Sequence, residues 1–383
     1  MSWVDEARLD DPDALGALDR HDTLLALASA GAQVRRALVA ADEGGIARVA
    51  GGERPRSVLV AALGGSAVVG DVLDVLAEDA SPVPVNVRRN APLPGWVGPL
   101  DLVIAVSQSG RAAGPLALAA EAARRGAALL TVGAAGSPLA DVSARARGVH
   151  VDVALHTPSS RTALWSLLTP ALLAADVLGL AHAPASVLAD VADVLDEVAE
   201  ECRPSSESFV NPAKVLATGL DGTVPVVLGD GPLTGVAAAR AAAMLTRTAR
   251  VPALHGALPD AASQVVATLD GPFGSGPDTT PNSGQGIFAD PYLDGPPTPR
   301  LGLLALRDPD LGPAESALAD AVTDAARESG AVVLEQEARS GHHVVRLASL
   351  VALTDFAATY LALGLGLDPV VSRHVTELRD RTS

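Results

Sequence analysis

The chain has 383 residues, enough for two or three domains with ample cores. Its net charge is −17, from 45 acidic against 28 basic residues, which argues against a general nucleic-acid binder, because such binding rests on neutralising phosphates with basic groups. Aromatics make up only 2% and hydrophobics 48%, so the cores must be built from Ala, Val and Leu, while the single cysteine, Cys202, excludes an intramolecular disulfide and fits a reducing cytoplasm.

The first residues, "MSWVDEARLDDPDALGALDRHD", are acidic and carry no signal-peptide core, so a cytoplasmic protein is expected. A helical stretch follows over roughly 11–42. Strands and helices then alternate. "SVLVAAL" (57–63) reads as a buried strand leading through "GGS" into a helix; "PVPVNV" (82–87) is a short strand; "LVIAVS" (102–107) is a third, followed by "QSG" and an Ala/Leu-rich helix. "ALLTVG" (128–133), the capped helix "SPLADVSARA" and "GVHVDVAL" (148–155) close the series. Short apolar runs bounded by Gly and alternating with helices predict a parallel sheet with helices on both faces.

Two helices are predicted at 163–180 and 185–201, after which the pattern restarts. "TVPVVLGDGP" opens a second strand–turn–helix unit, and "SQVVATL" (263–269), "RLGLLAL" (300–306) and "AVVLEQEA" (331–338) read as further strands, with a helix at about 313–328. The stretch 271–298 is dense in Gly, Pro, Ser and Thr and reads as a mobile surface loop, with a functional loop as the alternative. Residues 347–367 are apolar enough to raise a membrane span, but Asp355, Tyr360 and several glycines favour a buried helix. The expected fold is α/β, two tandem doubly wound units. Their boundaries are a helical segment 1–48, a first domain 49–183, a helical connector 184–210, and a second domain 211–383 with C-terminal helices.

Two turns carry candidate chemistry. "LGGSAVVGD" follows the first strand and "SQSGRAAG" the third, and loops at the carboxyl ends of adjacent parallel strands face one crevice. Gly64 and Gly65 let backbone approach a ligand, Ser66 adds a hydroxyl, and Ser107 and Ser109 stand at the mouth of a helix, where unsatisfied N–H groups and the helix dipole favour an anion. The alternative is that the two serines only cap that helix. Neither turn fits the G-x-G-x-x-G or P-loop spacing, so no nucleotide cofactor is expected, and no metal site is expected either.

Taken together, "LGGSAVVGDVL", "VRRNAPLPGWVGPLDLVIAVSQSG", "SSRTALW", "NPAKVLA", "ARVPALHGALPD" and "TDFAATYLALGLGLDP" resemble, in order, the landmarks of bifunctional phosphoglucose/phosphomannose isomerases, proteins of two tandem sugar-isomerase (SIS) domains. That resemblance implies transfer of a proton between C1 and C2 of a hexose 6-phosphate, glucose 6-phosphate or mannose 6-phosphate exchanging with fructose 6-phosphate through an enediolate, and a homodimer in which one subunit completes the other's site. It implies phosphate binding by Ser107 and Ser109, with Gly64, Gly65 and Ser66 along the sugar. The family's cradle threonine is Ala112 here, and Arg111 stands where the family usually has Asn. Arg111 either pairs with phosphate or is a solvated loop arginine. Arg161, in "SSRTALW", matches the cation that steadies the enediolate; otherwise it pairs with a helix-end carboxylate or carbonyls.

The proton-moving positions depart from the family. Its glutamate position is Arg247, its ring-opening histidine is Ser263, and its C-terminal lysine is Arg379. Only Lys214 among the basic residues is a lysine, so Arg379 fits a chain-wide preference, whereas Arg247 reverses a charge. Asp230, His255 and Asp260 are the nearby groups able to substitute in acid/base work, as are His342 and His343 at the start of the last long helix; as ordinary residues Asp230 is a turn residue, Asp260 a cap and the histidine pair a helix end. Two readings result: an isomerase with a displaced acid/base set, or a phosphosugar-binding sensor or partner subunit without turnover.

Overall fold

The computed structural model describes residues 3–78, 81–154, 157–274 and 299–382. By contact the chain divides into two compact units, one of residues 25–199 with 342–348, the other of residues up to 24, 200–341 and from 349 onward. The N-terminal segment is therefore divided between them at Leu24. It forms not one stretch but four helices, Glu6–Leu9, Pro12–Leu18, Thr23–Ala28 and Ala30–Glu43. Local chemistry makes the breaks. Asp11 caps the second helix by accepting from Asp13 N and Ala14 N, with Pro12 in the first turn. Asp19 accepts from Thr23 N and Leu24 N at the start of the third.

The 25–199 unit holds a parallel sheet of β1 (Ser57–Ala62), β2 (Val85–Arg88), β3 (Asp101–Ser107), β4 (Ala128–Gly133) and β5 (Val149–Asp152), in the order β2-β1-β3-β4-β5. Every residue of β1 and β3 is buried. That is why they read as unbroken apolar runs: a parallel strand covered on both faces has no polar side to alternate with. On one face Leu59, Ala61, Val103 and Ala105 pack with Leu118, Ala119 and Ala122 of helix Ala113–Arg124 and with Leu139. Each buried leucine there contributes roughly 1.5–3 kcal/mol.

The other unit holds β6 (Thr223–Gly229), β7 (Leu254–Ala257), β8 (Arg300–Arg307) and β9 (Val332–Glu337), parallel and ordered β7-β6-β8-β9. One expected strand is corrected here. "SQVVATL" is the helix Ala262–Leu269, whose Val265 and Leu269 are buried at i, i+4 spacing. The paired valines suggest a strand, but packing on one face decides the element. Its place in the sheet is taken by the short β7, which lies in the sequence between prolines. Residues 155–156 and 275–298, which include most of the Gly/Pro-rich stretch, lie outside the described residues.

Helix His343–Gly364 is the one described helix long and apolar enough to cross a membrane, and 94% of its apolar window is buried inside the protein. Asp355 on it forms a buried bidentate pair with Arg240, Nη2 to Oδ2 2.6 Å and Nε to Oδ1 3.1 Å. Tyr360, on the same helix, donates its hydroxyl to Cys202 O at 2.6 Å, and burial pushes the Cys202 thiol up to about 12. A buried thiol of that kind is inert.

Candidate functional site: the crevice between β1 and β3

The order β2-β1-β3 reverses the direction of strand addition between β1 and β3, so the crossovers leave on opposite sides and a crevice opens at the carboxyl ends of these two strands. Ala62 pairs in register with Val106, which sets the turn after β1 beside Ser107. Gly64 adopts φ +64°, which glycine alone takes without strain, and open space lies where its side chain would be. Gly65 faces a neighbour: a Cβ there would stand 2.7 Å from Ser160 Oγ and 3.1 Å from both Arg161 N and Arg161 Cγ. This contact brings the "SSRT" segment onto the turn, so Arg161 sits beside Gly65. Ser66 is buried, its hydroxyl donating to Leu63 O at 3.2 Å. It holds the turn together.

After β3 the chain turns sharply, Gly110 N donating to Ser107 O at 2.8 Å with Gly110 at φ +63°. A Cβ on Gly110 would collide with the Ser137 hydroxyl, so only glycine fits. Ser107 is buried and its Oγ accepts from Ala112 N at 3.3 Å; Ser109 is exposed and its Oγ accepts from Arg111 N at 3.3 Å. Both hydroxyls keep their O–H for an outside acceptor. Helix Ala113–Arg124 starts directly behind them. Its N-cap is Ala112, which has no side chain to give, so the first-turn amides find no acceptor within the helix or from the cap. Arg111 is exposed at the rim. Two hydroxyls and helix-end amides on one edge, with Arg111 at its rim, suit a dianion carried on a small polar molecule.

Two residues that the sequence does not single out hold the segment that carries Arg161. Gln108, between the two serines, donates Nε2 to Thr157 Oγ1 at 2.9 Å. Gln33, 1% exposed on helix Ala30–Glu43, donates to Thr162 O at 2.8 Å. An uncharged amide in a loop or a helix gives no motif, so only the fold reveals these ties.

The corresponding edge of the other sheet is built differently. Its switch point lies between β6 and β8, and the side chain standing there is Asp230, 4% exposed. Its carboxylate accepts from Asp308 N at 2.9 Å and from Thr234 Oγ1 at 2.8 Å, and Arg307 Nε stands 3.4 Å away. Burial raises its pKa against those bonds. Asp230 thus ties the ends of β6 and β8 together and fills its own helix start with a negative charge. Arg247 lies in the π-turn Leu245–Ala249, a single wide turn that exits through Arg250 at φ +60°. His255 is exposed on β7, Asp260 is exposed beyond it, and Ser263 is exposed in the first turn of helix Ala262–Leu269. Position 379 falls on helix Arg373–Thr382. Among the described residues no group of His, Cys, Asp and Glu could hold a metal ion.

Residues 209–382 match the family model of the bacterial phospho-glucose isomerase C-terminal SIS domain. A bifunctional phosphoglucose/phosphomannose isomerase from Caldicellulosiruptor bescii is 29% identical over 196 residues, 51% of this chain and 57% of that protein. Over these stretches the chain is similar to that family. The alignment spans just over half the length of that curated relative. In fold, the chain is similar to a glucose-6-phosphate isomerase from Chlamydia trachomatis, with a TM-score of 0.62 at 13% identity over 96% of this chain and 74% of that one. A glucose-6-phosphate isomerase-like protein from Thermus thermophilus gives 0.55 at 18% identity, covering 97% and 98%. Arg247, Ser263 and Arg379 all lie inside the segment that matches the SIS model.

Proposed function

We propose that this protein binds hexose 6-phosphates in the β1–β3 crevice, and that the reaction its site serves is the exchange of glucose 6-phosphate or mannose 6-phosphate with fructose 6-phosphate. The observation that supports the reading is the asymmetry of the two sheet edges. The second is filled by the Asp230 carboxylate, whereas among the described residues no carboxylate bonds to Gly64–Ser66 or to Ser107–Ala112. That contrast supports the helix start behind Ser107 as the edge that takes an outside anion.

In that exchange a base removes the C2 or C1 proton, the C–H electrons form the C1–C2 double bond as the carbonyl electrons move onto oxygen, a proton passes between the two oxygens, and the carbon proton returns to the neighbouring carbon as the new carbonyl forms. A guanidinium at Arg161 stabilises the enediolate oxygens, and the phosphate anchor supplies orientation. The base is what this chain lacks at its family position: an arginine, with a pKa above about 12, cannot cycle a proton near neutrality. Asp230 is engaged by three neighbours, and Ser263 offers no titrating group in place of a histidine. Turnover is therefore expected at least ~10³-fold below that of a family member with both groups, since each lost acid/base group costs about 10²–10⁴-fold. Proton NMR of purified protein with fructose 6-phosphate tests this: an aldose 6-phosphate signal growing slowly supports it, and equilibration at ordinary enzyme rates contradicts it.

The reading includes a cytoplasmic protein paired with a second copy of itself. The apolar helix His343–Gly364 does not argue for the pair, because it is buried within the chain; the family resemblance alone supports it. A monomer mass by light scattering at micromolar concentration would remove that part.

A further inference from the structure

We infer that Gln108 is a positioning residue that fixes the Arg161 segment against the phosphate-binding turn, an inference that rests on the reading of the β1–β3 crevice given above. Ser107, Gln108 and Ser109 are consecutive at the end of β3. The two serines hold the backbone of their own turn through Ala112 N and Arg111 N. Gln108 reaches out of it: Nε2 donates to Thr157 Oγ1 at 2.9 Å and approaches Thr157 O at 3.4 Å. Its backbone is pinned, since Ala134 N donates to Gln108 O at 3.0 Å, and Ser107 O packs so closely on Gly133 that a Cβ there would collide with it. The amide is thus launched from a rigid base.

The far end of the segment is held independently. Gln33 donates to Thr162 O at 2.8 Å and accepts from Ser166 Oγ at 3.3 Å, while Thr162 closes a turn back to Ser159 O. Between these two ties lie Ser160 and Arg161, the residues that a Cβ on Gly65 would strike. Gln33 fixes one end of the segment to a helix, and Gln108 fixes the other to the phosphate turn. Removing the Gln108 tie leaves the serines, the helix start and Gly110 untouched. It frees the approach angle of Arg161, which meets the sugar end of a hexose 6-phosphate. The phosphate end is served by other groups.

The consequence is a split in ligand response. Gln108→Leu should leave binding of inorganic phosphate within about twofold of wild type. It should reduce the advantage of fructose 6-phosphate over inorganic phosphate by roughly five- to tenfold, the scale of one hydrogen bond. Thr157→Val should reproduce that loss, Thr157→Ser should restore it, and Gln108→Leu with Thr157→Val should be no worse than either alone, because both remove one interaction. Amide hydrogen exchange on the protein without added ligand gives a second readout: exchange at residues 157–162 should accelerate in Gln108→Leu, with that at 107–112 unchanged. Equal weakening of both ligands, a Thr157→Ser variant as impaired as Thr157→Val, or unchanged exchange at 157–162 would overturn the inference. A wild-type protein that binds neither ligand, yet shows the exchange change, would instead sink the phosphate reading while leaving the tie intact as a structural feature.

Discussion

Replacing Ser107 and Ser109 with alanine separates what each hydroxyl does for the fold from what it does for a ligand. Ser107 is buried and accepts from Ala112 N, so Ser107→Ala strands that amide and should lower unfolding free energy by about 0.5–1.5 kcal/mol. Ser109 is exposed, and water replaces its oxygen at Arg111 N, so Ser109→Ala should change stability by less than about 0.5 kcal/mol. Toward a phosphate dianion the two are equivalent: each O–H donates a charge-assisted bond worth about 1.5–3 kcal/mol before solvent compensates. The double variant should therefore weaken fructose 6-phosphate binding by about 1–3 kcal/mol, roughly 5- to 150-fold in Kd. Titration calorimetry of the single and double variants, with denaturant melts alongside, reads both effects. Affinity unchanged in the double variant, with stability reduced only by Ser107→Ala, would show that the serines are helix caps and nothing more.

Asp355→Ala leaves the Arg240 guanidinium buried without its carboxylate and should destabilise by about 3–5 kcal/mol in chemical denaturation, whereas Asp355→Leu combined with Arg240→Met should recover most of that. His342 packs against the rings of His343 (3.9 Å) and His182 (5.9 Å), with Arg346 one turn along and Asp176 near His182. Val344 N donates to its Nδ1. Burial first, then the neighbouring positive groups, lower its pKa from 6.5 to about 4. The folded state thus holds fewer protons than the unfolded one, so this stabilisation is complete above about pH 6.5 and lost as pH falls towards 4. Denaturation midpoints should fall across that window in wild type and less steeply in His342→Leu; identical slopes would contradict the assignment. Arg247→Glu combined with Ser263→His should raise isomerase activity measurably over wild type, while either change alone should do little, because base and ring-opener serve consecutive steps. If Arg247→Ala leaves an already ordinary rate unchanged, His255 and Asp260 become the groups to test.

The parts of this protein that are legible in its sequence are those where one local rule decides. β1 and β3 are apolar throughout because both faces are covered, and "GGS" and "SQSG" stand out because glycines and hydroxyls at strand ends have few other uses. Helix Ala262–Leu269 reads as a strand because two adjacent valines match a strand as well as a helix, and only the placement of Val265 and Leu269 in the core separates them. β7 is four residues on a sheet edge with its first two side chains exposed, so it carries no apolar signature. Asp230 reads in sequence as a turn residue, with a base as the alternative; its bonds to Asp308 N and Thr234 come from residues distant or unremarkable in sequence. Gln33 and Gln108 lie beyond reach for the same reason, since their partners are fixed by the fold.

Titration calorimetry with fructose 6-phosphate, glucose 6-phosphate, inorganic phosphate and free fructose, at one ionic strength, tests the account most directly. A phosphate cradle at the β1–β3 switch point predicts saturable binding of both hexose 6-phosphates, weaker binding of inorganic phosphate, and no detectable heat with fructose. Binding of fructose as tight as that of its 6-phosphate, or no binding of any phosphorylated ligand, would contradict it.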